Sequence, residues 1–279
     1  MSTVEPAYVV QDPAIARVRI EIGSGQVELV PSDDAAVRAT LDVPPGADQD
    51  WVNDITFKVV GDELVVDAPR RFRSGEIRVR VEAQATMPAR IKTGSADILA
   101  RVPLQDARLS TGSGDIILER SEGVLAAGTG TGRIRIEYAA GPVRANTGSG
   151  DIEIRTAETM VAASTGSGDV RIGDAAGPAT VKVGSGDITI ERVLDHSVAT
   201  SGSGDVRVER AEGASVRAET ARGDVQIGVP QGTPTYLDLK TVTGHIRCDL
   251  EPSSRPPEGD RSLTLRARTV SGDISVVRA

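Results

Sequence analysis

The hexamer Thr-Gly-Ser-Gly-Asp-Ile occurs at Thr111–Ile116 and again, unchanged, at Thr147–Ile152. Close variants begin at Thr129 (TGTGRI), Thr165 (TGSGDV), Val183 (VGSGDI) and Ser201 (SGSGDV). A loop of glycine, hydroxyl and carboxylate groups has the composition of an oxygen-ligand site for a hard cation. The candidate is a column of four carboxylates: Asp151, Asp169, Asp187 and Asp205. The pattern differs from the calcium-binding nonapeptide, which repeats every nine residues and places Asp two residues before an apolar one. Here Asp directly precedes the apolar residue and the period is doubled. Stacked carboxylates ~5 Å apart repel by about 0.8 kcal/mol even in water. Turn N–H groups, the neighbouring serines, or the next column (Arg135, Glu153, Arg171, Arg207) must offset that, or a cation must. The simpler reading is a corner, where glycines allow a sharp turn. Val183 and Ile22 replace the leading Thr, so that position belongs to an inward apolar column rather than to a ligand. The expectation is no metal and no cofactor, with the aspartates as the residual cation candidate.

Other reactive side chains form no pattern. His196 lies in an inter-strand loop, and His245 occupies an aspartate slot of the repeat. Serines are so frequent that a Ser/His/Asp set could be drawn anywhere, which makes it uninformative. Cys248 stands where other repeats carry Leu or Ile, and reads as a small buried hydrophobe. Arg222-Gly223-Asp224 fills the slot held elsewhere by Ser-Gly-Asp. No phosphate loop, zinc spacing or dinucleotide fingerprint is present. Carbohydrate-cleaving β-helices need clustered carboxylates beside sugar-stacking rings, and aromatics make up only 2% of this chain. No catalytic residue is therefore assigned.

The elements that position these residues follow from the period. The slots Asp97, Asp115, Arg133, Asp151, Asp169, Asp187 and Asp205 are 18 residues apart, and the series then stretches to Asp224, His245 and Asp273. After each slot comes an apolar pair spaced by two, such as Ile152/Ile154, Val170/Ile172 and Ile188/Ile190. Before each corner comes a triplet, such as Val143/Ala145/Thr147 and Val161/Ala163/Thr165. Alternation at period two gives two short strands per repeat, each with one buried face. A fixed short period of this kind is the signature of a solenoid. A hexapeptide helix would need an apolar residue six after Ile116, where Glu122 stands. The expected fold is all-β: a flattened, right-handed parallel β-solenoid with about 18 residues per rung.

Residues before Lys92 form longer alternating runs, among them DITFKVVGDELVVDAP and GEIRVRVEAQA. The expected organisation is a flexible lead over 1–13, a mostly antiparallel β section over 14–92 that caps the solenoid, and repeats over 93–279. At the other end, the Pro-rich insertion EPSSRPPEGDR and the strands LTLRART and DISVVRA are expected to close the stack. The net charge of −8 argues against non-specific nucleic-acid binding. A single cysteine excludes an intrachain disulfide, and no segment is long and apolar enough to span a bilayer. Without a recognisable signal peptide, a cytoplasmic location is expected.

The TGSGD/TGSAD series and the terminal TVSGDISVVRA resemble the bacterial β-strand-repeat adhesin family, a domain family of unknown function. The resemblance covers roughly residues 14–279. It implies a β-solenoid and surface adhesion, and it carries no catalytic residues. The leading function is a non-enzymatic scaffold that presents a ladder-patterned face to an unidentified protein partner. The alternative is a β-helix enzyme acting on carbohydrate. The sequence assigns no oligomeric state.

Overall fold

A side chain that alternates apolar and polar along an extended chain can bury one face only against a neighbour of the same kind. In the computed structural model, which describes residues 8–43, 49–68, 77–213, 215–250 and 262–279, the neighbour is the next repeat. The chain divides into two compact units, Met1–Ala139 and Ala140–Ala279.

In the first unit the elements are β1 (Tyr8–Asp12), β2 (Arg17–Ile22), β3 (Gly25–Pro31), β4 (Val37–Asp42), α1 (Gln49–Asn53), β5 (Thr56–Val60) and β6 (Glu63–Asp67). They continue as β7 (Ile77–Ala83), β8 (Met87–Thr93), β9 (Asp97–Ala100), β10 (Leu104–Thr111), β11 (Ile116–Ser121), β12 (Leu125–Thr129) and β13 (Ile134–Ala139). Two parallel stacks result. One runs β6–β2–β8–β10–β12, and the other β7–β3–β9–β11–β13. The stretch Ile22–Leu29, whose sequence IGSGQVEL is a degenerate copy of the repeat, thus falls within a complete rung, β2/β3. The chain lays down this rung first, then places β6/β7 outside it and returns with β8/β9 on its inner side.

The N-terminal section has the expected antiparallel pairings, and parallel ones beside them. β4 lies antiparallel on β7, β1 on β4, and β5 on β6. Tyr8–Asp12, expected in a flexible lead, therefore form a strand; residues 1–7 lie outside the described residues. The antiparallel strands end the parallel stacking, as an edge strand must if it is not to recruit further strands. Beneath them Leu64, Val66, Ile77 and Val79 are at most 2% exposed.

In the second unit the strands are β14 (Val143–Ser149), β15 (Ile152–Ala157), β16 (Val161–Ser167), β17 (Val170–Ala175), β18 (Ala179–Ser185), β19 (Ile188–Val193) and β20 (His196–Ser203). After these come β21 (Val206–Ala211), β22 (Ser215–Arg222), β23 (Val225–Val229), β24 (Thr235–Thr243), β25 (Ile246–Cys248), β26 (Leu263–Ser271) and β27 (Ile274–Arg278). The register places Ile152, Val170, Ile188, Val206, Val225 and Ile274 in one column. All six are at most 1% exposed. A fully buried Val or Ile contributes about 1.5–3 kcal/mol, so these columns carry the fold without aromatic residues. A further buried column, Ala157, Ala175, Val193 and Ala211, closes the far end of each second strand. Alternation along the sequence does not reveal it, because its alanines resemble loop residues.

The last strands do not close the stack. β26 pairs with β22 on one side and β24 on the other, and β27 lies between β23 and β25. The final segment is therefore the penultimate rung, and β24/β25 is the outermost. The Pro-rich segment 251–261 lies outside the described residues. Cys248 is exposed rather than buried, because among the described residues the inward column of β25 has a neighbouring rung on only one side.

Candidate functional site

Two hydrogen-bond ladders build the glycine corner. The leading Thr is inward and buried, at 4–8% exposure for Thr111, Thr129, Thr165, Thr220 and Thr269. Its hydroxyl donates to the carbonyl of the preceding rung's fourth position. Thr111 reaches Ala96 (3.1 Å) and Thr129 reaches Gly114 (3.0 Å). In the second unit, Thr165 reaches Gly150 (3.0 Å) and Thr220 reaches Gly204 (2.9 Å). Ser201 does the same to Gly186 (3.0 Å). A buried hydroxyl is tolerated only when paired in this way.

The aspartates form the second ladder, outside the corner. Asp151, Asp169, Asp187 and Asp205 stand in successive rungs, in one exposed column. Each Oδ1 accepts the backbone N–H of the next slot: Asp169 N–H on Asp151 (3.0 Å), Asp187 on Asp169 (2.8 Å) and Asp205 on Asp187 (2.7 Å). The ladder continues through Asp224 and Asp273 to the N–H of His245 (2.8 Å each). The spatial order is Asp224, Asp273, His245, because the last rung in sequence is not the last in space. In the first unit, Asp97 accepts from Asp115 and Asp115 from Arg133, both at 2.8 Å. A hydrogen bond contributes on the order of 1 kcal/mol net, and more when the acceptor is charged. That offsets the roughly 0.8 kcal/mol repulsion between neighbouring carboxylates. Each aspartate thus has a structural partner at one oxygen. Asp273 sits below the usual carboxylate range, first because of the His245 N–H and further through the nearby His245 and Arg247 charges.

The glycines answer to the same spacing. Gly168, Gly186, Gly204 and Gly223 have φ between 134° and 141°. A Cβ on any of them would sit 2.2–2.3 Å from the carbonyl oxygen of the rung before. Gly223 of the Arg-Gly-Asp tripeptide is therefore a corner residue like the others, and Asp224 accepts the N–H of Asp273 (2.8 Å).

The remaining candidates do not converge. His196 Nε2 lies 3.8 Å from Asp195, and His245 Nδ1 lies 3.5 Å from Asp273. The two pairs occupy different ends of their rungs. Among the described residues, no three His, Cys, Asp or Glu side chains gather as a metal site.

The outward faces of the second unit differ from each other. On the face of β15, β17 and β19, charges pair between rungs. Arg171 bonds Glu191, which raises the guanidinium above its ordinary value, and Arg192 reaches Asp174 (2.8 Å). On the face of β16, β18 and β20 a small, neutral strip runs in register: Ala162, Thr180 and Val198, flanked by Ser164 and Thr200. Ser164 donates to Asn146 (2.8 Å), and the charged Lys182 stands between Ser164 and Thr200 in the flanking column. Shallow grooves cross the outer faces of each unit, lined in the second by side chains such as Arg217, Lys240 and Val270.

Stacked parallel rungs, apolar inside and joined by glycine corners, define a β-solenoid. The chain belongs to the family described as "Putative auto-transporter adhesin, head GIN domain", whose profile matches residues 19–228. Among solved structures it is similar to one from Parabacteroides merdae described as "a putative adhesin". The identity is 11%, over 97% of this chain and 95% of that one, with a TM-score of 0.38. It is also similar to one from Clostridium sporogenes described as "a putative cell adhesion protein". There the identity is 11%, over 99% and 100% of the two chains, with a TM-score of 0.22. None of the curated proteins matches the sequence. Among the described residues, no helix is long and apolar enough to cross a membrane.

Proposed function

We propose that the chain is a non-enzymatic, adhesin-like module that holds a flat, in-register face toward a protein partner. The observation that carries this reading is the neutral strip Ala162–Thr180–Val198 on rungs whose interior is filled by fully buried Ile, Val and Ala. A flat, rigid strip loses little entropy on docking, and its small side chains leave little to desolvate. The opposite face, where charges already pair with each other, offers less to a partner. The family description supports a place at the cell surface, and the cytoplasmic expectation finds no support in it. Capping of the first unit by β1, β4 and β5 supports a section built to end the repeat rather than to bind.

Crosslinking of the full chain at the bacterial surface tests this reading. Val198→Glu with Thr180→Arg should abolish the crosslinked species, while Arg171→Ala should leave it intact. Equal loss in both, or in neither, would put the partner elsewhere. The carbohydrate-enzyme alternative predicts release of reducing ends from a polysaccharide panel, abolished by substituting one carboxylate. Such a release would overturn the module reading.

A further inference from the structure

β24 is the outermost strand of its stack: among the described residues it pairs only with β26. A strand in this position presents a row of backbone N–H and C=O groups to whatever comes next. Its inward residues Leu237, Leu239 and Thr241 are half-buried, where their counterparts Leu265, Ala267 and Thr269 on β26 are at most 4% exposed. Its outward residues Tyr236 and Val242 are 69% and 68% exposed. Apolar surface at an open strand edge calls for a covering strand.

The sequence of that edge, Thr235-Tyr-Leu-Asp-Leu-Lys-Thr-Val-Thr243, is self-complementary about Leu239. A two-fold axis through Leu239 brings a second β24 alongside, antiparallel. Residue pairs then sum to a constant: Asp238 faces Lys240, Leu237 faces Thr241, Tyr236 faces Val242, and Thr235 faces Thr243. Opposite charges meet twice, the inward side chains meet each other, and the two exposed apolar residues cover one another. Cross-strand pairs of these kinds are the ones that stabilise antiparallel strands. An isologous contact of this form closes on itself and does not propagate.

Charge placement also argues against the neighbouring registers. A slip of two residues would centre the axis on Asp238 or on Lys240, setting like charges against each other. Lysine on an edge ordinarily blunts pairing; here the axis through Leu239 gives each Lys240 a carboxylate. Arg266 Nε holds Asp238 at 2.8 Å, with Arg268 at 3.5 Å, so the carboxylate is already fixed on the outward face.

We propose that the β24 edge is a homodimerisation surface, in which two copies of this chain pair antiparallel through Thr235–Thr243 about Leu239. This edge is independent of the partner-binding face proposed above, since it lies on a different rung and makes a different kind of contact.

Sedimentation velocity on the full chain, from about 1 to about 100 μM, tests it over the range where a micromolar dimer would assemble. The expected result is a concentration-dependent shift from monomer to dimer and no larger species. Lys240→Glu should weaken association by about tenfold or more, because two attractive pairs become repulsive. Lys240→Arg should preserve it. Lys182→Glu, on the same face but away from the edge, should leave it unchanged. Val242→Lys, which places a charge on the edge without touching the Asp238 pair, should weaken it as well. Hydrogen exchange should find the Thr235–Thr243 amides protected in the dimer and fast in the Lys240→Glu monomer. A monomer at every concentration overturns the proposal, as does a dimer indifferent to Lys240→Glu. Protected β24 amides in a monomer overturn it too, and assign the edge to another segment of the same chain.

Discussion

The outermost rung of the first unit and that of the second end in opposite conditions. At β6/β7, in the first unit, antiparallel strands cover both edges, and Leu64 and Val79 are fully buried. At β24/β25, in the second unit, Ile246 is 45% exposed and Cys248 lies open. In both units the outermost rung is laid out of turn: β6/β7 lies directly against β2/β3, whose other side β8/β9 then takes, while β24/β25 lies one place beyond β22/β23 and β26/β27 fills the gap. β7 and β24 both alternate apolar and polar residues; the difference is whether, among the described residues, further strands lie against the rung's outer edge. In a solenoid, burial is a property of the neighbouring rung more than of the residue.

Substitutions at the two kinds of position should separate most when a charge is introduced. Ile152→Asp puts an unpaired carboxylate into a filled column and should prevent folding, or lower the melting temperature too far for a native baseline. Ile246→Asp, at the open rung, should leave a folded chain with a normal far-ultraviolet dichroism spectrum. If both unfold the protein, the end rung is as well covered as the interior.

Truncation should give a smaller contrast in the same direction. Leu64→Ala should cost about 2–5 kcal/mol in urea unfolding, the usual cavity range. Leu237→Ala should cost less than half as much, since half-buried atoms lose less on removal. Equal costs would break the comparison.

At the corner, Asp169→Ala removes the acceptor for the Asp187 N–H and should destabilise by about 1 kcal/mol. Asp169→Asn keeps an oxygen in place and should be nearly neutral, a sharper distinction than charge repulsion alone would give. Millimolar calcium should leave both melting temperatures within error. A cation at 100 times its Kd would add about 2.7 kcal/mol per site, so a strong calcium-dependent rise in the unsubstituted chain would restore the ligand-loop reading.

Smaller still is the effect expected of Ser197. Its buried hydroxyl has no hydrogen-bond partner among the described residues, and it stands between Ala179 and Val216 in an inward column. Ser197→Ala should raise the melting temperature by a few degrees, as removal of an unpaired polar group does.

The smallest effect is in acid. Asp62 at the covered end lies below the usual carboxylate range, chiefly through its hydrogen bond from Arg17; Asp273 lies below it chiefly through the His245 N–H. A folded-state pKa below the unfolded one gives stability that is present above the unfolded value and lost as pH falls through the folded one. Asp273→Asn, which resembles the protonated side chain, should therefore lower stability slightly at neutral pH and leave it unchanged at the most acid values, so that the acid limb flattens. A steeper limb would have the sign wrong.

The residues of the repeat specify a great deal by themselves. The 18-residue spacing from Asp97 to Asp205, the inward pairs such as Ile152/Ile154, and the inward Thr are all legible, because period-two alternation and glycine corners are local properties. The aspartate column is legible as a column, but its hydrogen bonds are not. The N–H that Asp169 accepts belongs to Asp187, a full rung away in sequence, and only the stacking register brings the two within 2.8 Å. The order of rungs is likewise tertiary. No local signal places β26 between β22 and β24, or β6 outside β2, since every rung offers its neighbours the same apolar columns. Which copy stacks on which is settled by where the connecting segments can reach and by what covers the last edge. For that reason Cys248, read from its position in the repeat as buried, lies on an open end.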